Sequence, residues 1–232
     1  MRPRRRFDKY FTVLGSSDIP TTNVFFRAYH GHCAQLPRII RSTYDPATPI
    51  NIAEVGCSKG METWSILAML AVNGINQVHI DASDVSPLML ERASGPYKAT
   101  KDQLVEWAAD WNVPAECADF FDVPKPGYIS PGAELRARAT FSELDIRRTK
   151  LDASRYGFVI CNNVLQHYDH LPRVQSKIVA NMAVGLQPGG HLAAIYSESP
   201  MPENAYATAG LQPRPELDNA GLPYPRFHQR AS

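Results

Sequence analysis

The apolar residues of this chain follow two alternating patterns: short continuous runs, and longer stretches repeating every three or four positions. Ile50 to Val55, Val78 to Ala82, Phe158 to Asn162 and His191 to Tyr196 are runs of the first kind. Short apolar runs bounded by turn residues read as strands buried on both faces. Helical spacing fills the intervals. Met61 to about Val72 sets Trp64, Leu67, Ala68 and Ala71 on one face, and Asn73-Gly74 ends it. A second helix opens at Ser86-Pro87, with Ser86 as N-cap and Pro87 at the first helical position, where a missing N–H costs nothing. Lys101 to Trp111 and Leu171 to Leu186 are further helices, and Gly189-Gly190 reads as a turn.

Three stretches are less regular. From Asn23 to about Ser42, Phe25, Phe26, Tyr29, Leu36, Ile39 and Ile40 recur at helix-compatible spacings, with Pro37 breaking or capping the helix. Val123 to Pro131 holds three prolines and is expected to be largely loop, followed by a strand over Arg138 to Ile146. Beyond Pro200 the chain is rich in proline, so the tail is expected to add at best an edge hairpin. Strand and helix in alternation indicate a doubly wound, Rossmann-like α/β domain with a mostly parallel sheet. The expected division is a basic terminus over 1–20, one domain over 21–200 and a tail over 201–232.

Composition narrows the function classes. A formal net charge of +1 gives no global field to gather nucleic acid or anionic lipid. The local cluster Arg2, Arg4, Arg5 and Arg6 reads as a solvated terminus. Cys33, Cys57, Cys117 and Cys161 form no C-x-x-C pair, which argues against a zinc site or a disulfide framework. No metal is expected, and His30 and His32 read as surface residues. With no signal-peptide core and no run of membrane-spanning length, the expected compartment is the cytoplasm.

In an open α/β sheet, ligands bind outside the carboxyl ends of the strands. The first such turn reads Glu54-Val55-Gly56-Cys57-Ser58-Lys59-Gly60-Met61-Glu62. Its G-x-x-x-G spacing departs from the G-x-G-x-x-G that packs a helix on a pyrophosphate, and suits a nucleoside without phosphates. The second strand ends in Ser83-Asp84, followed by Val85, where an acidic side chain can accept hydrogen bonds from both ribose hydroxyls. Asp84 could equally cap the following helix.

At these residues the sequence resembles the chemoreceptor glutamate methyltransferases of CheR type, which depend on S-adenosylmethionine (SAM). Thr21 to Arg27 looks like the family's N-x-T-x-F-F-R lead-in, and Gly56 to Ser65 like its C-S/A-T-G-E-E-P-Y-S turn. Phe141 to Ile146 resembles its F-x-x-L-N-L strand; Phe158 to Asn163 and Ser197-Glu198-Ser199 resemble F-D-x-I-x-C-R-N and the closing S-E-S. The resemblance implies that Thr21, Asn23 and Arg27 lie over the cofactor; on the substrate side, the Arg27 guanidinium can grip an anionic acceptor through two parallel hydrogen bonds. Glu54, Gly56, Cys57, Ser58 and Gly60 would form the cofactor turn, and Glu62 would contact the methionine end. Asp84 and Val85 would adjoin the ribose, Asp145 and Ile146 would flank the adenine, and Asn162 and Asn163 would line the floor.

Departures from the family leave the acceptor open. Met61 replaces an acid, Asp145 an asparagine and Asn162 an arginine, while His167 stands where the family has a tyrosine near the reacting methyl. His167 can serve as a general base for a hydroxyl or amine, or can cap the strand-to-helix crossing. About twenty residues precede Thr21, so the family's N-terminal helical domain is not expected, nor is its small β-subdomain that docks receptors. The sequence therefore points to methyl transfer onto an oxygen, a carboxylate or hydroxyl of a small molecule or protein side chain. A non-catalytic SAM-binding module and a nucleic-acid methyltransferase are the alternatives.

Overall fold

A computed structural model describes residues 25–26, 35–168, 170–195, 203–217 and 227–231. Thr21, Asn23, Arg27, His30, His32, Cys33, the Arg2 to Arg6 cluster and Ser197-Glu198-Ser199 lie outside the described residues.

The principal sheet has seven strands. In chain order they are β1 (Ile50–Val55), β2 (Val78–Asp84), β6 (Ala139–Glu143), β7 (Tyr156–Asn162), β8 (Leu186–Ile195), β9 (Leu211–Pro213) and β10 (Phe227–Arg230). Their spatial order is β6-β2-β1-β7-β8-β10-β9. Pairs β6·β2, β2·β1, β1·β7 and β7·β8 are parallel, and β8·β10 and β10·β9 are antiparallel. Chain order reverses direction at the β1–β7 boundary, the switch point where such sheets open a crevice at their carboxyl ends.

Alternation along the strands divides the core. Ile50, Ile52, Ile80, Ala82, Phe158 and Ile160 join one buried cluster, whereas Ala53, Val55, Val159 and Cys161 join another on the opposite face. Helices cover both: α1 (Leu36–Thr43) and α2 (Met61–Val72) belong to the first layer. On α2 every residue from Thr63 to Leu70 is buried, so it is enclosed rather than amphipathic. Helix α3 (Pro87–Ala93) follows β2, and α4 (Lys101–Asp110) opens on a Thr100–Gln103 capping box. Helix α5 (Ala133–Arg136) is a single turn, and α6 (Pro172–Gly185) packs on the second face.

Three expectations need correction. The Val123 to Pro131 stretch is not loop: β4 (Phe121–Lys125) and β5 (Tyr128–Pro131) pair there, joined by Pro126-Gly127 with Gly127 at φ +75. With β3 (Tyr97–Lys98) they make a separate antiparallel sheet of three strands, order β3-β5-β4, where the sequence left no room for one. Proline is tolerated because Pro124 lies on the edge strand, inside the register shift between Asp122 and Lys125. Gly189-Gly190 is not a turn but an irregularity within β8, which runs from Leu186. The strand predicted over Arg138 to Ile146 is shorter, Ala139–Glu143.

The tail contributes more than expected. Helix α7 (Glu203–Thr208) leads into the β9·β10 hairpin, which extends the sheet beyond β8. Two histidines are buried at this junction. His191 stacks on Phe158 at 5.3 Å and His228 on Tyr206 at 3.6 Å, and neither Nδ1 has a hydrogen-bond partner among the described residues. Burial pushes both down to about 4. The unfolded chain then binds protons that the folded chain refuses, so both contribute stability that is lost as pH falls from about 6.5 to 4. Glu54, pushed up to about 7 by burial, slopes the other way, because the folded chain holds its proton more tightly. From about pH 6.5 to 4 each of the two histidines makes unfolding more favourable as acid is added. Denaturant titrations across that range are expected to show this slope, and His228→Phe is expected to flatten it.

Candidate functional site

The β1–α2 turn is held in shape by its own backbone. Gly56, Ser58 and Gly60 have φ of +79, +50 and +75, so glycine serves where the chain must double back. Gly56 N–H and Cys57 N–H both donate to the Ser83 carbonyl, at 2.7 and 2.9 Å, tying the turn to the end of β2. Asp84 completes the link: Oδ2 accepts the Ser58 N–H at 2.9 Å and Oδ1 the Ser86 N–H at 2.9 Å. Ser86 occupies the N-cap of α3, but its side chain makes no capping bond. Each Asp84 oxygen keeps lone-pair capacity for a further donor. Burial raises the Asp84 pKa, opposed by the backbone N–H bonds.

Two further carboxylates surround the turn. Glu54, one residue before the end of β1, is almost wholly buried and accepts the Thr63 hydroxyl at 2.6 Å, and desolvation pushes it up to about 7. Glu62, in the first turn of α2, accepts a hydrogen bond from Asn162 Nδ2 at the end of β7. Asn162 is 8% exposed, and its Oδ1 has no partner among the described residues. An unpaired buried acceptor beside a carboxylate suits a cationic N–H donor such as an amino-acid ammonium. The donor set, acidic around a glycine turn and holding an orphaned carbonyl, fits SAM, whose sulfonium and ammonium are positive. Cys57 is buried, and burial pushes its thiol well above the ordinary range, so it packs as a neutral group.

The remaining predicted residues divide. Asp145 and Ile146 lie beyond β6 at the same carboxyl end. Ile146 is buried, its carbonyl pinned by Asn181 Nδ2 at 2.7 Å. Asp145 is gripped by Arg147 through two bonds of 2.7 Å, which hold its carboxyl below the usual range. Arg147 also hydrogen-bonds the buried Tyr168. This explains an aspartate where the resemblance has asparagine: a neighbouring guanidinium neutralises it. Asn163 takes φ +57 and is exposed, so of the two asparagines only Asn162 is enclosed. Val85 stands at the surface beside Asp84. His167 is exposed in the 3-10 turn Leu165–Tyr168, and its backbone N–H donates to the Val164 carbonyl at 3.1 Å. Sequence reasoning did not single out Thr63, Tyr97, Arg147 or Tyr168. Of these only Arg147 carried a local signal, its charge two residues from Asp145. No group of three or more metal-ligating side chains occurs among the described residues. None of their helices is long and apolar enough to cross a membrane.

Comparison with known proteins gives a family match, relatives and a structural neighbour. The family model described as CheR methyltransferase, SAM binding domain, matches residues 22–209. A chemotaxis protein methyltransferase of Vibrio parahaemolyticus is 25% identical over 195 residues, covering 80% of this chain and 68% of its own. Chemotaxis protein methyltransferase 1 of Vibrio cholerae matches with the same identity and coverage. Among solved structures, a TehB-like SAM-dependent methyltransferase from Corynebacterium glutamicum aligns with a TM-score of 0.47 at 10% identity, over 97% of this chain and 94% of that one.

Proposed function

The chain belongs to the CheR methyltransferase, SAM-binding domain family, and we propose that it transfers the methyl group to a side-chain carboxylate of a partner protein. It is a SAM-dependent methyltransferase. The observation that carries the acceptor assignment is the family match over residues 22–209, since the chemoreceptor methyltransferases that this sequence resembles act on glutamate carboxylates. A carboxylate acceptor is already nucleophilic and needs no base. The relatives' name, chemotaxis protein methyltransferase, supports a protein as the acceptor's carrier.

When bound, SAM supplies a methyl group activated by the positive charge on sulfur. The chain's part is then orientation and exclusion of water. In this reading Asp84 holds the ribose hydroxyls, and Glu62 with Asn162 Oδ1 fixes the ammonium. Ile146 and the Arg147-held Asp145 border the adenine, and Thr21, Asn23 and Arg27 would close over the top, Arg27 turned toward the anionic acceptor. Glu54, pushed up to about 7 by burial, lies beside the turn that in this reading holds the ligand. A cation nearby favours the ionised carboxyl, so SAM binding near pH 7 is expected to release protons. Calorimetry in buffers of different ionisation enthalpy reads this directly, and Glu54→Gln is expected to abolish it.

A second reading is favoured by one observation, the exposed His167 in the 3-10 turn that follows β7: the acceptor is a hydroxyl and His167 its base. The two differ in pH dependence. For a carboxylate acceptor, turnover is expected to stay nearly flat from about pH 6 to 8, and His167→Gln to cost less than about threefold. An acid limb that vanishes in His167→Gln, with a loss of about 10²–10⁴-fold, would assign the hydroxyl reading.

A further inference from the structure

The cofactor turn is also held from a direction that the reaction does not require. Tyr97 belongs to β3 of the small sheet, yet its hydroxyl lies 2.7 Å from the Lys59 carbonyl, 38 residues away inside the turn. The same oxygen lies 2.6 Å from the Ala93 carbonyl at the end of α3 and accepts the Trp64 indole N–H at 2.9 Å. The indole also donates to the Ala93 carbonyl at 2.7 Å. One hydroxyl proton is thus shared between the last carbonyl of α3 and a carbonyl of the turn, with α2 supplying the donor that completes the set. Burial pushes the Tyr97 phenol far above neutrality, so the proton stays in place.

The ring of Tyr97 has a separate and sufficient packing role. Phe25, from the lead-in, meets Tyr97 edge-on at 5.1 Å and Phe121 of β4 edge-on at 5.1 Å. A phenylalanine at position 97 would fill that aromatic cluster equally well. Only the hydroxyl addresses Lys59, and the peptide that follows Lys59 carries Gly60 at φ +75. On the other side of Lys59, the Ser58 N–H meets Asp84. The orientation of the Lys59 carbonyl therefore sets how the turn presents both the Asp84 link and the start of α2, where Glu62 lies.

We propose that Tyr97 is a positioning residue for cofactor binding: through its hydroxyl the small sheet, α3 and the glycine turn are locked into one arrangement. This rests on the reading of the β1–α2 turn as the SAM site. Tyr97→Phe removes the oxygen and keeps the ring. It is expected to raise the KM for SAM and the Kd for S-adenosylhomocysteine about three- to tenfold, leaving kcat at saturating SAM within about twofold. Phe121→Leu is the matching control, since it loosens the same aromatic cluster and retains the hydroxyl. It is expected to lower Tm while leaving the KM for SAM within about twofold. Unchanged SAM affinity in Tyr97→Phe, or an equal loss in Phe121→Leu, would overturn the proposal. Asp84→Ala keeps the two layers of argument apart. If it too leaves SAM affinity intact, the turn is not the cofactor site; if it alone weakens binding, the site stands and the role of Tyr97 falls.

Discussion

Asp84→Ala is expected to weaken the binding of SAM and S-adenosylhomocysteine by about 1.5–3 kcal/mol, roughly ten- to 150-fold in Kd. The carboxylate stands at the end of β2, where a ribose placed over the switch point would offer two hydroxyls. Its oxygens already accept the Ser58 and Ser86 N–H groups, so alanine removes two effects at once: the charged acceptor and the brace between the turn and β2. Asp84→Asn separates them. The amide keeps the shape and one acceptor oxygen, so it is expected to preserve Tm better than alanine while still losing affinity, because its second group is a donor. Calorimetry with S-adenosylhomocysteine and thermal unfolding on the same samples give both readings. Unchanged affinity in both variants would place the ribose elsewhere.

A larger structural effect is expected from Gly60→Ala. The residue has φ +75, and a Cβ built there lies 2.9 Å from both the Cβ and the carbonyl oxygen of Ala93. The left-handed conformation costs a non-glycine residue about 1–2 kcal/mol. The clash adds a repacking cost of about 1–3 kcal/mol, since one of its partners is backbone. The Ala93 carbonyl cannot withdraw freely, because it receives both the Trp64 indole N–H and the Tyr97 hydroxyl. A total loss of about 2–5 kcal/mol lowers Tm by about 4–20 °C in a chain of this size. SAM affinity is expected to fall at least about tenfold in the molecules that remain folded, as the turn shifts away from Asp84. A Gly60→Ala protein with wild-type Tm and affinity would mean that the close contact with α3 is not maintained in solution.

Legibility in the sequence followed the range of the determining interaction. Strand β1 and helix α2 were readable to the residue, because Ile50 to Val55 and Met61 to Val72 carry their period and stop signals within themselves. The turn and Asp84 were readable because glycine spacing and an acid at the end of the next strand are both local patterns. The small sheet was not: β4 contains Pro124 and ends at Pro126, and only pairing to β5 at a sheet edge makes proline acceptable there. Gly189-Gly190 misled in the same way, as a glycine pair marks a turn and a strand irregularity equally well. In the site, Asp145 could be seen as a departure from asparagine, but its pairing with Arg147 decides what the departure does. Tyr97 was invisible as a site residue, since its hydroxyl acts on Lys59 across 38 positions and nothing near it in the chain signals that contact.

The acceptor chemistry is open to one decisive measurement. The protein is incubated with SAM carrying a labelled methyl group and with a cell extract, and labelled macromolecules are then exposed to mild alkali. A methyl ester formed on a side-chain carboxylate hydrolyses under those conditions, whereas a methyl ether or a methylated amine does not. The expected result is label in protein that alkali releases as volatile methanol, and that falls steeply, at labelled SAM below the wild-type Kd, when Asp84→Ala replaces the wild type. Label that survives alkali, or that resides in nucleic acid, would contradict carboxyl methylation.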